Sequence, residues 1–274
     1  MNNRSALRTK LVSAPYIVWS VLFIIAPLIF VVYYSFTDAS GAFTFDNITA
    51  LSKYAPTFLR SIWFGIVATI ICLVIAFPLA YIMSQKTEKV QRTLIMLVML
   101  PMWMSFLIRT YSWMALLQDT GIINSFLIKI GIDPIHMINT SGAVILGMVY
   151  NFLPYMIMPI YSVMAKLDHS MVEAAQDLGG NRLTVIRKCI IPMSMPGVVS
   201  GITMVFVPSV STFYISQKLG GGSFDLIGDV IERQFQQSYN YNLGASLSLV
   251  LMVLILISMA VMNRFTGEEE GMVI

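Results

Sequence analysis

Charge is scarce in this chain. Only 11% of its 274 residues are charged and 57% are hydrophobic, with a mean hydropathy of +0.77. Soluble domains carry about 25% charged residues. No soluble core hides this much apolar surface, so the bilayer must be the solvent. Other absences narrow the chemistry. The sequence contains no GxxxxGK[ST] stretch, which excludes ATP hydrolysis by a P-loop on this chain. The two cysteines, Cys72 in an apolar run and Cys189 in a polar one, do not make a disulfide framework. The two histidines, His136 and His169, stand far from both, so no zinc-ligand spacing exists and no Ser-His-acid grouping can be nominated. No small-x-small cleavage site follows the first apolar run. The basic N-terminus is therefore expected to lead an uncleaved span.

What the chain has instead is long runs almost free of charge. They lie near Ala14–Phe36, Ser61–Ser84, Thr93–Gln118, Gly142–Ala165, Pro196–Ser216 and Leu243–Met262. Each has 20–26 residues, enough at ~1.5 Å per residue to cross a ~30 Å hydrocarbon layer. Backbone polar groups in lipid must be satisfied within the segment, so runs of this length are helices. The third is interrupted by Arg109.

Six spans put both ends on one side. With that side as the cytoplasm, the inner segments hold Arg4, Arg8, Lys10, Lys86, Lys89, Arg92, Lys166, Arg182, Arg187, Lys188 and Arg264, and the outer loops only Lys53, Arg60, Lys129, Lys218 and Arg233. The positive-inside bias places both termini in the cytoplasm. Topology then accounts for the net charge of +3 without a nucleic-acid footprint.

Several spans contain proline: Pro27, Pro78, Pro101, Pro154, Pro159 and Pro208. Proline removes a backbone hydrogen bond and kinks a helix. Kinks are common in membrane helices, and bent helices also suit a cavity that opens alternately to two sides. In the last outer loop, Ile227, Val230, Ile231 and Phe235 recur at helical spacing, predicting a short amphipathic helix after Gly220–Gly222.

The inner segment 166–195 is the most patterned part of the chain. It predicts two short helices. Asp168 and Ser170 are candidate caps of the first, and Glu173 sits early in it, where negative charge suits the helix dipole. Ala174, Ala175 and Leu178 give that helix a compact apolar side, and Gly179-Gly180 allow a sharp turn. Leu183, Ile186 and Ile190 form one stripe of the second helix, with Arg182, Thr184 and Lys188 off it. Pro192 is expected to end this helix and Pro196-Gly197 to start the next span. A helix pair lying on anionic lipid would also use basic residues.

The spacing EAA, three residues, Gly, nine residues, then an apolar residue, any residue, an apolar residue and Pro resembles the signature of ABC importer permeases. LPMWMSFLIRTYSWMALLQDTGIIN, GMVYNFLPYMIMPIYSVMAKLD, FYISQKLGGG and LIGDVIERQF extend the resemblance over nearly the whole chain. They look like the B-subunit permeases of bacterial spermidine/putrescine ABC importers. Cys189, Ile191 and Gly180 depart from the signature by small apolar swaps. Thr212 and Gln217 stand where many relatives carry an acid.

The resemblance implies an all-α polytopic membrane protein with six transmembrane helices and a cytoplasmic coupling-helix loop, the ABC type I importer permease fold, in a single domain over residues 1–274. It implies a bacterial plasma-membrane location and a homologous second permease. It also implies two copies of a cytoplasmic ATPase carrying the ATP and Mg, an extracytoplasmic polyamine-binding protein, and no cofactor on this chain. Coupling to the ATPase falls to Glu173, Ala174, Ala175, Asp177, Leu178, Gly179, Arg182 and Pro192.

A polyamine is a flexible polycation, and its path needs carboxylates or carbonyls for the ammonium groups and aromatic faces for cation–π contact. Trp103, Tyr111, Trp113, Tyr150, Tyr155, Phe213 and Tyr214 are candidates, although Trp and Tyr also anchor helices at the interface. Asp119 is a further acid outside the hydrocarbon. Asp225, Asp229 and Glu232 recur at helical spacing, so one face could present them together as a cation funnel or as a dock for the binding protein. Arg109 is the one formal charge within a span. It is expected to pair with an outer acid or backbone carbonyls, or to act as a barrier to cations. The rival readings are an ABC permease for ferric iron or a small anion, which Lys218 favours, and an ion-coupled secondary transporter. The latter would want midplane ionisable groups and inverted repeats. A membrane-anchored scaffold would not account for six kinked spans.

Overall fold

The structure is a computed structural model and describes residues 15–167, 170, 177 and 179–266. Among these residues the protein is helical, with only an isolated bridge between Thr37 and Phe43. Helix α1 is Pro15–Ser35. A short α2, Asp46–Ala50, and a 3-10 turn, Leu51–Tyr54, lead into α3, Ala55–Ser84. Then follow α4 Glu88–Met99, α5 Phe106–Leu117, α6 Ile122–Lys129 and α7 Ser141–Met164. Helix α8 is Leu183–Ser211, α9 Tyr214–Leu219, α10 Ile227–Gln236 and α11 Tyr241–Thr266. Five helical segments are long and apolar enough to cross a membrane, and the α4–α5 region makes a sixth if its bent pair counts as one span.

Three expected boundaries move. The third run is not one helix. After α4 the chain tightens into a 3-10 turn at Leu100–Trp103, and the axis then bends by 87° before α5. Pro101 lacks the N–H that would continue the ladder, and Ser105 is held out of the helical region. The fifth run ends early, because Thr212 is extended (φ −64°, ψ 144°) and α9 begins only at Tyr214. Pro192, expected to end the inner-loop helix, does not. A π turn at Ile186–Ile190 passes directly into Ile191–Ser211, and α8 runs through the proline. The same arrangement occurs in α1, where a π turn at Val21–Ile25 precedes Pro27. A widened turn shifts the carbonyl that the ring would strike and accommodates the missing donor.

The chain forms two compact units. One comprises residues 15–55 with Val230–Val253. Its organising feature is the C-terminal end of α1, whose last carbonyls have no partner in the helix. Asn47 Nδ2 donates to Thr37 O at 2.8 Å, and Asn242 Nδ2 to the same oxygen at 2.6 Å. Ser246 Oγ donates to Ser35 O at 3.2 Å. Beyond them the Asp38 carboxylate accepts Ser40 Oγ–H at 2.6 Å and Ala42 N–H at 2.9 Å.

The other unit is Pro56–Asp229 with residues 254–266. Its core is a row of small residues on α3, Ala68, Cys72, Ala76 and Ala80, one every four positions and all buried. This row and α7 belong to one apolar cluster. Helices α7 and α8 approach closely: a Cβ on Gly197 would lie 2.8 Å from Pro159 O, and one on Gly201 would lie 2.7 Å from Met156 Sδ. Small residues at such crossings let membrane helices gain contact where lipid supplies no hydrophobic drive. Gln91 closes the α3–α4 corner. Its amide donates to Ser84 O and Lys86 O, and its oxygen accepts Tyr161 O–H from α7 at 2.8 Å.

Candidate functional site

Two regions carry the sequence-derived candidates. In the inner segment, Glu173, Ala174, Ala175 and Leu178 lie outside the described residues, as do Asp168 and His169. Asp177 is helical and exposed. Gly179 has φ +82°, the left-handed region that only glycine enters freely, and among the described residues nothing within 4 Å would meet a Cβ there. The turn therefore calls for glycine through its backbone geometry. Asn181 follows as the N-cap of the next helix: its Oδ1 accepts Thr184 N–H at 2.8 Å. Arg182 begins the helical turn Arg182–Val185 that leads into α8, Leu183 is exposed, and Val185 and Ile190 are buried.

The second region gathers around the break at Thr212–Phe213. Helix α5 lies against α7 and α9 and brings aromatic candidates together in two pairs. Tyr111 and Tyr214 meet edge to face at 6.2 Å between centroids, and Trp113 meets Tyr150 at 5.3 Å. Phe106, not anticipated from sequence, joins the first pair 5.9 Å from Tyr214. Lys218 completes it, with Nζ 5.6 Å from the Tyr111 ring and 5.7 Å from the Tyr214 ring. Trp103 is not part of this cluster and is 74% exposed in the 3-10 turn. Tyr155 and Phe213 are also exposed, Tyr155 near Phe152.

Arg109 is only 8% exposed. Its guanidinium lies 5.9 Å from the Phe106 ring, and among the described residues Nε and Nη1 have no hydrogen-bond partner. The expected pairing with an outer acid is not present there. Asp119 instead lies 2.9 Å from His136 Nδ1 on the exposed loop.

The three acids expected to act together in the segment between α9 and α11 do not share one exposed face. Asp229 is 4% exposed and turned inward. Its Oδ2 accepts Leu226 N–H at 2.8 Å, and Ser216 Oγ lies 2.8 Å from its Oδ1. The carboxylate stands at the third position of α10 and reaches back to the residue before the helix, half of a capping box. Ile227 N–H is taken by Ser61 Oγ at 2.7 Å. Gly228 lies against the carbonyls ending α8, since a Cβ there would be 2.4 Å from Thr212 O. The start of α10 is thereby pinned to the helix break. Asp225 and Glu232 are half-buried. An acid three positions into a helix after a glycine-rich loop was the signal that could have identified Asp229 as a cap. Nothing in the sequence pointed to Ser61, 166 positions away.

Comparison with known proteins places this geometry. The spermidine/putrescine transport system permease protein PotB of Haemophilus influenzae is 38% identical over 234 residues, 81% of each chain. That of Escherichia coli K12 is 38% identical over 227 residues, 79% of this chain and 82% of its own. A solved bacterial ABC transporter involved in the import of the acidic polysaccharide alginate has the same fold, with a TM-score of 0.77 at 18% identity over 97% of this chain and 98% of its own. The fold is that of the type I ABC importer permeases. Residues 76–266 match the family described as binding-protein-dependent transport system inner membrane component. On that match and the length of the shared sequence, this multi-pass chain belongs to the binding-protein-dependent transport system inner membrane component family.

Proposed function

We propose that this chain is one membrane-spanning half of an ATP-driven importer for spermidine and putrescine. The observation that carries the reading is 38% identity to PotB permeases over about four-fifths of both chains. The chain acts as a single permease domain. ATP and Mg bind a separate ATPase present in two copies, a homologous second permease completes the pore, and an extracytoplasmic binding protein delivers the cargo. Glu173, Ala174, Ala175, Asp177, Leu178, Gly179, Arg182 and Pro192 form the surface that the ATPase moves. Its movement reorients the bent spans between outward and inward access. Tyr111 and Tyr214, supported by Trp113 and Tyr150, supply aromatic faces to the ammonium groups. Asp225 and Glu232 attract them electrostatically. Both termini face the cytoplasm.

Reconstitution with the ATPase, second permease and binding protein tests this. Labelled spermidine should accumulate in vesicles only with ATP, and spermidine should stimulate ATP hydrolysis. Stimulation by anions and none by polyamines would favour the small-anion rival, which the Lys218 and Arg109 charges would suit. Topology has its own test. A single cysteine at position 181, in an otherwise cysteine-free chain, should resist an impermeant thiol reagent in intact cells, while one at position 129 should react. Labelling of 181 from outside would reverse the orientation.

A further inference from the structure

We propose that the Tyr111–Tyr214 pair is an ammonium site occupied, in the cargo-free chain, by the protein's own Lys218, which an incoming alkylammonium must displace. The inference rests on the polyamine reading for its cargo and adds a resident competitor to the path. Lys218 stands one turn after Tyr214 on α9, so both face the same side of that helix. Tyr111 comes from α5, and the two rings meet at 84°. The ammonium lies 5.6 and 5.7 Å from the two centroids. Both distances are inside the ~6 Å within which a ring quadrupole holds a cation. Among the described residues no carboxylate forms a salt bridge with Lys218. The rings thus demonstrate, on a side chain of the molecule itself, the chemistry that a primary ammonium cargo would need.

Two ammonium groups cannot share the pair, because like charges a few ångströms apart repel strongly. The cargo therefore enters only as Lys218 leaves. Helix α9 is placed for such exchange: it has six residues, follows the extended Thr212, and ends at a glycine run in which Gly221 and Gly222 take positive φ. A neutral solute gains nothing by displacing Lys218, and an anion would bind Lys218 instead. The resident ammonium thus lowers the apparent affinity of any cationic cargo, which must displace it.

The test uses the complete complex in nanodiscs. The probe is 1,4-bis(trimethylammonio)butane, a dication whose quaternary ends cannot be acylated. Acylation of Lys218 by an amine-reactive ester is followed by mass spectrometry, with sodium chloride at equal ionic strength as control. The probe should raise Lys218 reactivity about threefold or more, the order expected when a cation–π contact is lost, with Lys53 and Lys129 unchanged. In Tyr111→Leu/Tyr214→Leu, Lys218 should react fast from the outset and ignore the probe. A wild-type Lys218 indifferent to the probe overturns the proposal.

Transport gives a second reading. Lys218→Met should lower the KM for spermidine about threefold by the same reasoning, and the gain should vanish in the Tyr111→Leu/Tyr214→Leu background. An equal gain in both backgrounds would mean simple repulsion and would sink the cage. If wild-type complex imports no polyamine yet the probe still unmasks Lys218, the polyamine reading fails and the cage stands. Normal uptake with no unmasking fails the cage alone.

Discussion

The turn at Gly179 and the junction at Thr212–Phe213 are both breaks between helices, and they are built on opposite principles. Gly179 is set by its own backbone geometry, and among the described residues nothing lies within 4 Å of where a Cβ would go. The Thr212–Phe213 junction is held by the rest of the protein. Ser61 from α3, Ser216 from α9 and Asp229 from α10 converge on it, and Gly228 presses on its carbonyls. The Gly179 turn carries its information in local spacing. A joint internal to the chain carries it in contacts between distant residues.

The comparison can be broken most decisively at Asp229. Replacement by Ala leaves the Leu226 N–H and the Ser216 hydroxyl without a charged acceptor, and hydrogen bonds to charged groups are worth ~1.5–3 kcal/mol each. Asp229→Ala should therefore deplete the protein from the membrane and lower its thermal midpoint in detergent. Asp225→Asn and Glu232→Gln, whose carboxylates do not cap α10, should lower both less than Asp229→Ala. Equal behaviour of all three would mean that the junction is not held as described.

Gly179→Val is the matching change at the glycine turn. A non-glycine residue in the left-handed region costs roughly 1–2 kcal/mol, and a branched one resists it most. Uptake should fall to background with membrane abundance unchanged, whereas Gly179→Asn, tolerated in this region, should keep most of it. Loss of abundance in the valine variant would show that the turn supports the fold and does not serve only a partner.

Arg109 sharpens the contrast further. Its charge is buried without a hydrogen-bond partner for Nε and Nη1 among the described residues. Replacing buried ionic groups by apolar ones of similar volume is often neutral or stabilising. Arg109→Met should hold or raise the thermal midpoint, and any change in uptake then reports a role in the path. A marked fall in stability would reveal a partner for the guanidinium in the full protein.

The smallest effect belongs to Asp38. The Ser40 hydroxyl, then the Ala42 N–H, hold its carboxyl below the usual carboxylate range. A depressed pKa gives stabilisation that is complete above the unfolded value and lost as pH falls through the folded one. The loop should thus be cut more readily by pepsin as acidity increases, and Asp38→Asn should remove that dependence while leaving uptake intact.

Composition and run length alone determined that this chain is a bundle of membrane helices, because a bilayer tolerates few other backbone arrangements. Local spacing determined the glycine turn at Gly179 and the amphipathic helix at Ile227–Gln236, because both depend on residues a few positions apart. Only tertiary structure decided how proline would act. Pro101 accompanies a sharp bend, while Pro192 is carried through by a π turn that no residue pattern announced. It also decided which charges are available. Asp229 reads like its neighbours in sequence but is consumed by a cap, and Lys218 reads like a solvated loop residue but sits on two rings. These outcomes depend on which distant helix supplies the neighbouring atom, and the order of residues along one segment does not contain that information.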